Sequence, residues 1–531
     1  MRWKIPKPIM TCIEKYQYLI NIDIFLLSFM IDHNLTEYPA YNRINKEYEY
    51  ASYKFSLLFS YILKAFKISD KDQYWFLYYN DTIITDDEVK DHPELMNHTV
   101  RQFQDTIPLL FPEVCTNGHV AKTITLQVTD SCNLACTYCY QINKHNNMMS
   151  FETAKTAIDS ILEPIPSTKE YLDYDKCPGM VLEFIGGEPF LNIKLMLEIT
   201  EYFITRLIVL DHKWLNKFLL STCSNGILYF DPEVQKFIST YQDILSFSIS
   251  IDGNKELHDS CRVFPDGKPS YDIAIAGVKH YMDSYKRPMG SKMTIAPGNV
   301  EHVYDAIINL IELNYLQIHA NCVYEEGWTN DHAKIYYYQL KKIADYIIDN
   351  HLIDVDISIF NFNNNRPMSE TENKNWCGGN GDMLAFDYLG KAYPCIRYME
   401  SSLGNDIDPI VIGDINGLNC NDEYSDIINS LKSITRKSQS TEECYNCPIA
   451  QGCSWCTAYN YQEFGTANKR AIYICCMHKA EALANVYYWN KYARTNNIDK
   501  EIGLIVPDDM ALEIIDNDEL NMLKSLSMRS E

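Results

Sequence analysis

Residues 131–140 carry the strongest chemical signal in this chain, and they read Ser131-Cys132-Asn133-Leu134-Ala135-Cys136-Thr137-Tyr138-Cys139-Tyr140. Three thiolates spaced C-x3-C-x2-C on one short loop can hold three corners of a cubane iron–sulfur cluster, which leaves the fourth iron without a protein ligand. An open metal position can bind a small molecule, whereas a cluster that only carries electrons is normally closed by four cysteines. Zinc knuckles usually present two C-x2-C pairs, and the loop lacks the second pair. The spacing therefore predicts an iron–sulfur centre that takes part in chemistry.

The cysteine loop follows the first of six short apolar segments that alternate with amphipathic helices. This rhythm is typical of parallel α/β barrels, whose reactive groups lie at the carboxyl ends of the strands. The predicted strands are 123–128, 181–185, 218–223, 245–251, 292–295 and 317–323.

A second motif, Gly186-Gly187-Glu188-Pro189, follows the second predicted strand. Glycines permit close backbone approach, and a glutamate can accept a charge-assisted hydrogen bond from an ammonium group. With the cysteine loop, this motif resembles the signature of radical S-adenosylmethionine (radical SAM) enzymes. The resemblance implies a partial (β/α)6 barrel in which Cys132, Cys136 and Cys139 hold a [4Fe–4S] cluster. The open iron of that cluster would bind SAM, and reduction would generate a 5′-deoxyadenosyl radical.

The same resemblance implies further contacts with SAM. Tyr138 would pack near the adenine, and the turn 186–189 would meet the amino group. The sequence Ser250-Ile251-Asp252-Gly253 with Arg262 resembles the segment that meets the ribose or carboxylate, which makes Ser250, Asp252 and Arg262 candidate SAM contacts. A solvated turn held by an Asp252–Arg262 pair is the alternative. Asn321 with Glu325 or Glu326 would face the substrate.

A second field of cysteines begins near residue 365 and resembles the SPASM domain, a C-terminal module with two auxiliary [4Fe–4S] clusters. The resemblance assigns Cys377, Cys395 and Cys456 to the cluster nearer the barrel. It assigns a second set to the outer cluster: Cys444, Cys447, Cys453 and Cys475, with Cys476 as the alternative to Cys475. Only two residues, Ser454 and Trp455, separate Cys453 from Cys456, whereas the family usually has three at this point. The nearer cluster lacks an obvious fourth cysteine, so its open iron would suit a substrate thiolate unless Cys420 or Cys322 closes it.

The chain is expected to form four units. Residues 1–118 are an N-terminal α+β domain, compatible with a winged-helix-like module that binds a leader peptide by strand addition or with an ordinary extension packed on the barrel. Residues 119–365 form the radical SAM barrel, 366–480 the SPASM domain, and 481–531 a C-terminal helix with an acidic tail.

Charge and cysteine content restrict the class of partner and the cellular compartment. The chain has 531 residues, with 47 basic and 71 acidic side chains and a net charge of −24, which disfavours nucleic acid or an anionic membrane as the main partner. Its 18 cysteines, without a recognisable signal peptide, indicate metal binding in a reducing cytoplasm. The longest apolar run, near residues 18–31, is too short and too polar to span a bilayer.

These features predict a radical SAM enzyme that modifies a cysteine-containing ribosomal precursor peptide and forms sulfur-to-carbon thioether cross-links. A reductase such as flavodoxin or ferredoxin would supply electrons. The alternatives are an anaerobic sulfatase maturase that forms formylglycine, and a carbon–carbon cross-linking or epimerising maturase. In sulfatase maturases an aspartate follows the cysteine equated with Cys395, whereas this chain has Ile396. The candidate from a different functional class is a non-catalytic electron-transfer protein that holds several clusters.

Overall fold

The computed structural model describes residues 121–527 except 176, 211, 216, 288, 353, 369–372, 374, 376, 405, 419–420 and 497–502, together with two strands near residue 80. These strands, β1 (Tyr74–Leu77) and β2 (Thr82–Thr85), pair antiparallel. The rest of the N-terminal unit, including any leader-binding surface, lies outside the described residues. So do Cys420 and residues 528–531.

Six parallel strands form the centre of the fold, and each lies within two residues of its predicted bounds. They are β3 (Lys122–Thr129), β4 (Met180–Gly186), β5 (Phe218–Ser224), β6 (Leu245–Ile249), β7 (Gly290–Ile295) and β8 (Gln317–Cys322). The α/β class and the alternation of strands with helices are therefore confirmed.

The strands divide into two sheets. The strands β3 to β6 pair parallel in sequence order, and β7 and β8 pair parallel with the short β9 (Asp356–Ile357) in a separate sheet. Among the described strands, β6 and β7 are neighbours without ladder hydrogen bonds. The barrel thus has a seam between β6 and β7.

In the described part of the barrel, eight helices follow the strands and cover the outside of the barrel. They are α1 (Phe151–Leu162), α2 (Pro166–Leu172), α3 (Ile193–Val209), α4 (Pro232–Tyr241), α5 (Lys255–Cys261), α6 (Tyr271–Tyr285), α7 (Val303–Glu312) and α8 (Asn330–Asp349). Local sequence explains several starts: Ser150 caps α1 by accepting from the Thr153 N–H, and Asp231 caps α4 directly before Pro232. Their apolar faces bury a continuous aliphatic and aromatic core against the sheet.

The C-terminal region extends the barrel sheet. The strand β10 (Met383–Phe386) pairs parallel with β3, and an antiparallel meander continues through β11 (Lys391–Tyr393), β12 (Gly413–Asp414) and β13 (Gly417–Leu418). The turn between β10 and β11 contains Gly390 at a φ of 86°, where glycine is favoured.

The remaining helices pack around this extension. They are α9 (Asp422–Ser433), α10 (Arg436–Gln439), α11 (Glu442–Tyr445), α12 (Thr457–Phe464), α13 (Cys475–Thr495), α14 (Asp508–Leu512) and α15 (Asn517–Leu526). The long α13 packs on α8 of the barrel and crosses the predicted division at 480/481, so that division falls inside a helix. The part of the acidic tail that is described forms α14 and α15, and α15 buries Leu520 and Leu523. In the described part of the chain, every helix is too short or too polar to cross a membrane.

Candidate functional site

The first cysteine loop forms one wall of a cavity of about 300 Å³ at the carboxyl ends of the barrel strands. Cys132, Cys136 and Cys139 all line this cavity. Burial raises the thiol pKa of Cys132 and of Cys136, and each is raised further by the negative charge of the next cysteine in the motif. The structure therefore brings the three predicted ligands of the first cluster together at one opening.

The two glycines of the 186–189 turn are required by contact with the cysteine loop. A Cβ on Gly186 would lie 2.6 Å from the Thr129 carbonyl oxygen, and one on Gly187 would lie 2.3 Å from the Ser131 carbonyl oxygen and 2.7 Å from the Cys132 Cβ. Both glycines also line the cavity. Their absence of side chains lets the two motifs pack backbone to backbone, a reason that the sequence interpretation, based on ligand approach alone, did not give.

Glu188 is buried beneath the cavity, with 1% of its surface exposed. Its carboxylate accepts hydrogen bonds from Ser224 Oγ at 2.9 Å, the Asn225 N–H at 2.7 Å and the Phe190 N–H at 3.1 Å. Burial outweighs these bonds and raises the pKa of Glu188 to about 7. A carboxylate has about four acceptor positions, so room remains for one further donor such as an ammonium. Pro189 is buried and begins the 3-10 helix that follows Glu188.

Asp252 organises the opposite wall. Its carboxylate is fully buried, accepts from Arg262 Nε at 2.7 Å and also accepts from the Tyr138 hydroxyl. The Arg262 guanidinium lies 5.5 Å from the centre of the Tyr138 ring. Tyr138 and Arg262 line the cavity, so Asp252 acts by holding both. The pair is buried, unlike the solvated pair of the alternative interpretation.

Ser250 lines the same cavity beside Cys223, with 3.3 Å between Ser250 Oγ and Cys223 Sγ. Of the predicted substrate-side residues, Asn321 and Glu325 line the cavity. These positions agree with roles near SAM or the substrate, which remain predictions.

Several cavity residues were missed by sequence reasoning. Lys144 lines the cavity and hydrogen bonds to Cys139, and nearby cysteine charges raise its pKa although burial alone would lower it. Arg397 pairs with Glu325 at 3.1 Å, and its guanidinium lies 4.8 Å from the centre of the Tyr140 ring. Because Arg397 comes from the second cysteine field, its place here could be found only from the fold.

The cysteines assigned to the nearer auxiliary cluster form one group. Burial is the main cause that raises the pKa of Cys395, followed by the charges of Cys456 and Cys377. Cys377 Sγ lies 3.2 Å from Thr457 Oγ1, next to Cys456 in the chain. Burial raises the pKa of Cys456, and the charge of Arg397 acts in the opposite direction. Since Arg397 lines the first cavity, this group lies next to that cavity. Cys322 instead lines the first cavity and hydrogen bonds to Tyr336.

The outer group consists of Cys444, Cys447, Cys453 and Cys475. Burial raises the pKa of Cys475 to about 12, with the charges of Cys453, Cys447 and Cys444 adding to the effect. Cys476 points elsewhere, and its Sγ lies 3.6 Å from the Thr329 carbonyl oxygen. The structure thus places Cys475, rather than Cys476, with the other three.

Two cations contact the outer group. Arg470 donates from its NH2 nitrogen to Cys453 Sγ at 2.7 Å and from its NH1 nitrogen to Cys444 Sγ at 3.4 Å. Burial alone would raise the pKa of Cys453, but the charges of His478 and Arg470 lower it to about 7. Such a setting favours the thiolate form that metal binding requires.

The donor sets fit cubane clusters better than single ions. Within the described residues, no three Cys, His, Asp or Glu side chains converge as ligands of one metal ion do. Each cysteine of a cubane binds a different iron, so its ligands surround a larger body. Three thiols around the first cavity, three in the nearer group and four in the outer group match that requirement.

Comparisons with known proteins agree with the fold. A family model described as "4Fe-4S single cluster domain" matches residues 117–261. An uncharacterized protein of Methanocaldococcus jannaschii is 30% identical over 190 residues, 36% of this chain and 58% of that protein. The serine-type anaerobic sulfatase-maturating enzyme of Bacteroides thetaiotaomicron is 30% identical over 150 residues, 28% of this chain and 33% of the enzyme. The matches thus span less than two thirds of either curated relative.

Among solved structures, "Native anSMEcpe with bound AdoMet" matches with a TM-score of 0.51 and 18% identity, covering 71% of this chain and all of that one. "Native anSMEcpe with bound AdoMet and Cp18Cys peptide" matches with a TM-score of 0.50 and 18% identity over the same shares. The chain therefore has the fold of these AdoMet-binding proteins, an α/β barrel with a cysteine-rich extension.

Proposed function

We propose that this protein is a radical SAM enzyme that modifies a ribosomally made, cysteine-containing peptide. One observation carries the proposal: the three cysteines of the C-x3-C-x2-C loop line one cavity with the 186–188 turn and with Arg397 from the second cysteine field. A SAM site and an auxiliary cluster site would then share a wall. The likeness to structures of anSMEcpe with bound AdoMet, one of which also holds a peptide, supports this assignment.

The residues around the cavity suit SAM. Cys132, Cys136 and Cys139 would hold the cluster that, when reduced, supplies the electron for cleavage of SAM to methionine and a 5′-deoxyadenosyl radical. Glu188 retains an acceptor position for the amino group. Arg262 and Tyr138 present a cation and an aromatic face to the opposite side of the cavity, and the buried Asp252 fixes both.

Two further clusters would occupy the second cysteine field. Cys377, Cys395 and Cys456 would hold the nearer one, which gives it three cysteine ligands among the described residues and leaves a position for a substrate thiolate. Cys444, Cys447, Cys453 and Cys475 would close the outer one. None of the 15 described cysteines forms a disulfide, which supports a reducing cytoplasm as the setting.

The substrate cysteine sulfur would become bonded to a peptide carbon. Forming one S–C bond from an S–H and a C–H removes two hydrogens from the peptide, one by the radical and one as a proton with an electron passed to the protein. A flavodoxin or ferredoxin would supply the electron that starts each turnover.

A second candidate function is formylglycine formation, because the serine-type sulfatase-maturating enzyme is among the similar sequences. In the present chain Ile396 follows Cys395 and begins a 3-10 helix, where its hydrocarbon side chain has no proton-accepting atom. We therefore favour the thioether reaction.

Product analysis tests both the class and the reaction. The protein is reconstituted anaerobically with iron and sulfide, reduced and supplied with SAM, and 5′-deoxyadenosine is measured against a Cys136→Ala control. A cysteine-containing precursor peptide encoded beside this protein is then added, and its mass before and after the reaction is measured by mass spectrometry. Loss of two mass units supports cross-linking, and formylglycine supports the second candidate. Absence of deoxyadenosine would leave only an electron-transfer role.

A further inference from the structure

A second cavity of about 540 Å³ opens at the seam between β6 and β7. Most of its lining comes from three barrel strands, with Ser246 and Ser248 on β6, Gly290 to Lys292 on β7, and alternate residues of β8. Lys292 and Asn321 line both this cavity and the cysteine cavity, so the two spaces adjoin. A group bound here would therefore lie beside the proposed SAM site.

The interior of this part of the barrel is unusually polar. Barrel interiors are normally filled with branched apolar side chains. On β8, the outward-facing Ile318 and Ala320 are buried, while Gln317, His319 and Asn321 on the other face are exposed and line the second cavity. The strand therefore keeps a row of polar side chains where packing alone would favour aliphatic ones.

Besides the apolar Leu245 and Phe247, the lining of the second cavity carries several hydrogen-bond donors and one cation without an acidic partner among the described residues. None of its 12 residues is an aspartate or glutamate, in a chain whose net charge is −24. Arg287 at the edge is paired with Asp243 at 2.8 Å, whereas Lys292 has no ion-pair partner in the described part of the chain. Lys292 and His319 are register partners on the parallel pair β7–β8, so their side chains stand side by side on one face.

The strand on the other side of the seam carries further donors. Ser246 and Ser248 of β6 line the second cavity and alternate with the buried Leu245, Phe247 and Ile249. Hydroxyl donors near a lysine match the two oxygens of a carboxylate.

We propose that this second cavity binds a carboxylate side chain, Glu or Asp, of the peptide substrate and so selects peptides that are acidic near the modified residue. The inference rests on the proposed peptide-modifying function and specifies the substrate class. Lys292 supplies the charge, and His319, Asn321 and the β6 serines supply hydrogen bonds. It is a specificity site and does not take part in bond cleavage.

Equilibrium binding tests the proposal without requiring turnover. The reconstituted protein with SAM is titrated calorimetrically with two acetylated hexapeptides, one containing a cysteine and two glutamates, the other a cysteine and two glutamines. We expect the glutamate peptide to bind about tenfold more tightly, the effect of one hydrogen-bonded charge pair. Lys292→Gln should abolish this preference. Lys279→Gln, the same charge change on the exposed face of α6, should preserve it.

The SAM affinity of each variant is measured separately, because the SAM carboxylate is a second anion that Lys292 could meet. Weaker SAM binding in Lys292→Gln with an intact glutamate preference would assign Lys292 to SAM and overturn the proposal. Equal binding of both peptides to the parent protein, or failure of both to bind, would also overturn it. Failure of the proposed function is a different result, namely absence of 5′-deoxyadenosine from the parent protein.

Discussion

Arg262 donates from Nε to Asp252 Oδ2 across 2.7 Å, and the Asp252 side chain is fully buried while that of Arg262 is 11% exposed. The same carboxylate accepts from the Tyr138 hydroxyl in the cysteine loop. Asp252 therefore links the end of β6 to the loop that carries the first three cysteines. A substitution of Asp252 should therefore also alter the proposed SAM site.

Replacing Asp252 by asparagine should lower the free energy of unfolding by about 3–5 kcal/mol, because the Arg262 charge would be left buried without its partner. Asp243→Asn is the control, since its pair with Arg287 is roughly half exposed and should be worth about 0–1 kcal/mol. Urea unfolding of the reconstituted proteins measures both. Equally small losses of unfolding free energy in Asp252→Asn and Asp243→Asn would show that the Asp252–Arg262 pair is solvated.

Gly187→Ala should prevent assembly of the first cluster while leaving the auxiliary clusters in place. The added methyl group would meet the Ser131 carbonyl oxygen at 2.3 Å, so the cysteine loop must move. Iron content should fall by about one third if the chain holds three [4Fe–4S] clusters. Gly298→Ala serves as the control, since its Cβ would meet no atom of the described residues within 4 Å. Full iron content in Gly187→Ala would refute the close contact.

Cys475→Ala and Cys476→Ala should differ although the residues are adjacent. Cys475 lies with the outer cysteine group, whereas Cys476 approaches Thr329. Iron analysis should show loss of about one cluster from Cys475→Ala and none from Cys476→Ala. Loss from Cys476→Ala alone would reverse the assignment.

His258 should make stability depend on pH below neutrality. Burial and then the Arg262 charge lower its pKa to about 4, although Asp252 and Asp259 act in the opposite direction. The unfolded chain, with a histidine pKa of about 6.5, then binds more protons as pH falls, so stability decreases below pH 6.5. His258→Gln should reduce the loss between pH 6.5 and 5 by about 1.5 kcal/mol.

The matched control for this measurement is His302→Gln, because His302 is exposed on a 3-10 helix. The free energy of unfolding of His302→Gln should change with pH as that of the parent protein does. The same slope in His258→Gln and parent would mean that His258 titrates normally in the folded state.

The strands and motifs could be predicted from sequence because their signals are local. Apolar runs of five to seven residues placed β3 to β6 within two positions. Cysteine spacing marked the first cysteine loop, and the resemblance to the SPASM domain suggested the later cysteine groups, with Cys475 and Cys476 left as alternatives. These patterns depend on neighbours in the chain, so one sequence contains them in full.

Relationships across long sequence separations could not be predicted in this way. The reason for Gly187 is a contact with Ser131, and the presence of Arg397 in the first cavity depends on β10 pairing with β3. The choice of Cys475 over Cys476 depends on the direction that α13 gives each side chain. The seam between β6 and β7 likewise follows from strand packing, which the hydrophobic pattern does not encode.

We expect the cluster at Cys132, Cys136 and Cys139 to bind SAM at an open iron. Electron paramagnetic resonance of the anaerobically reduced protein, recorded with and without SAM, tests it most directly. We predict that SAM changes the signal of one cluster and that the change is absent in Cys136→Ala, which retains the auxiliary signals. A parent spectrum that SAM leaves unaltered would contradict the account.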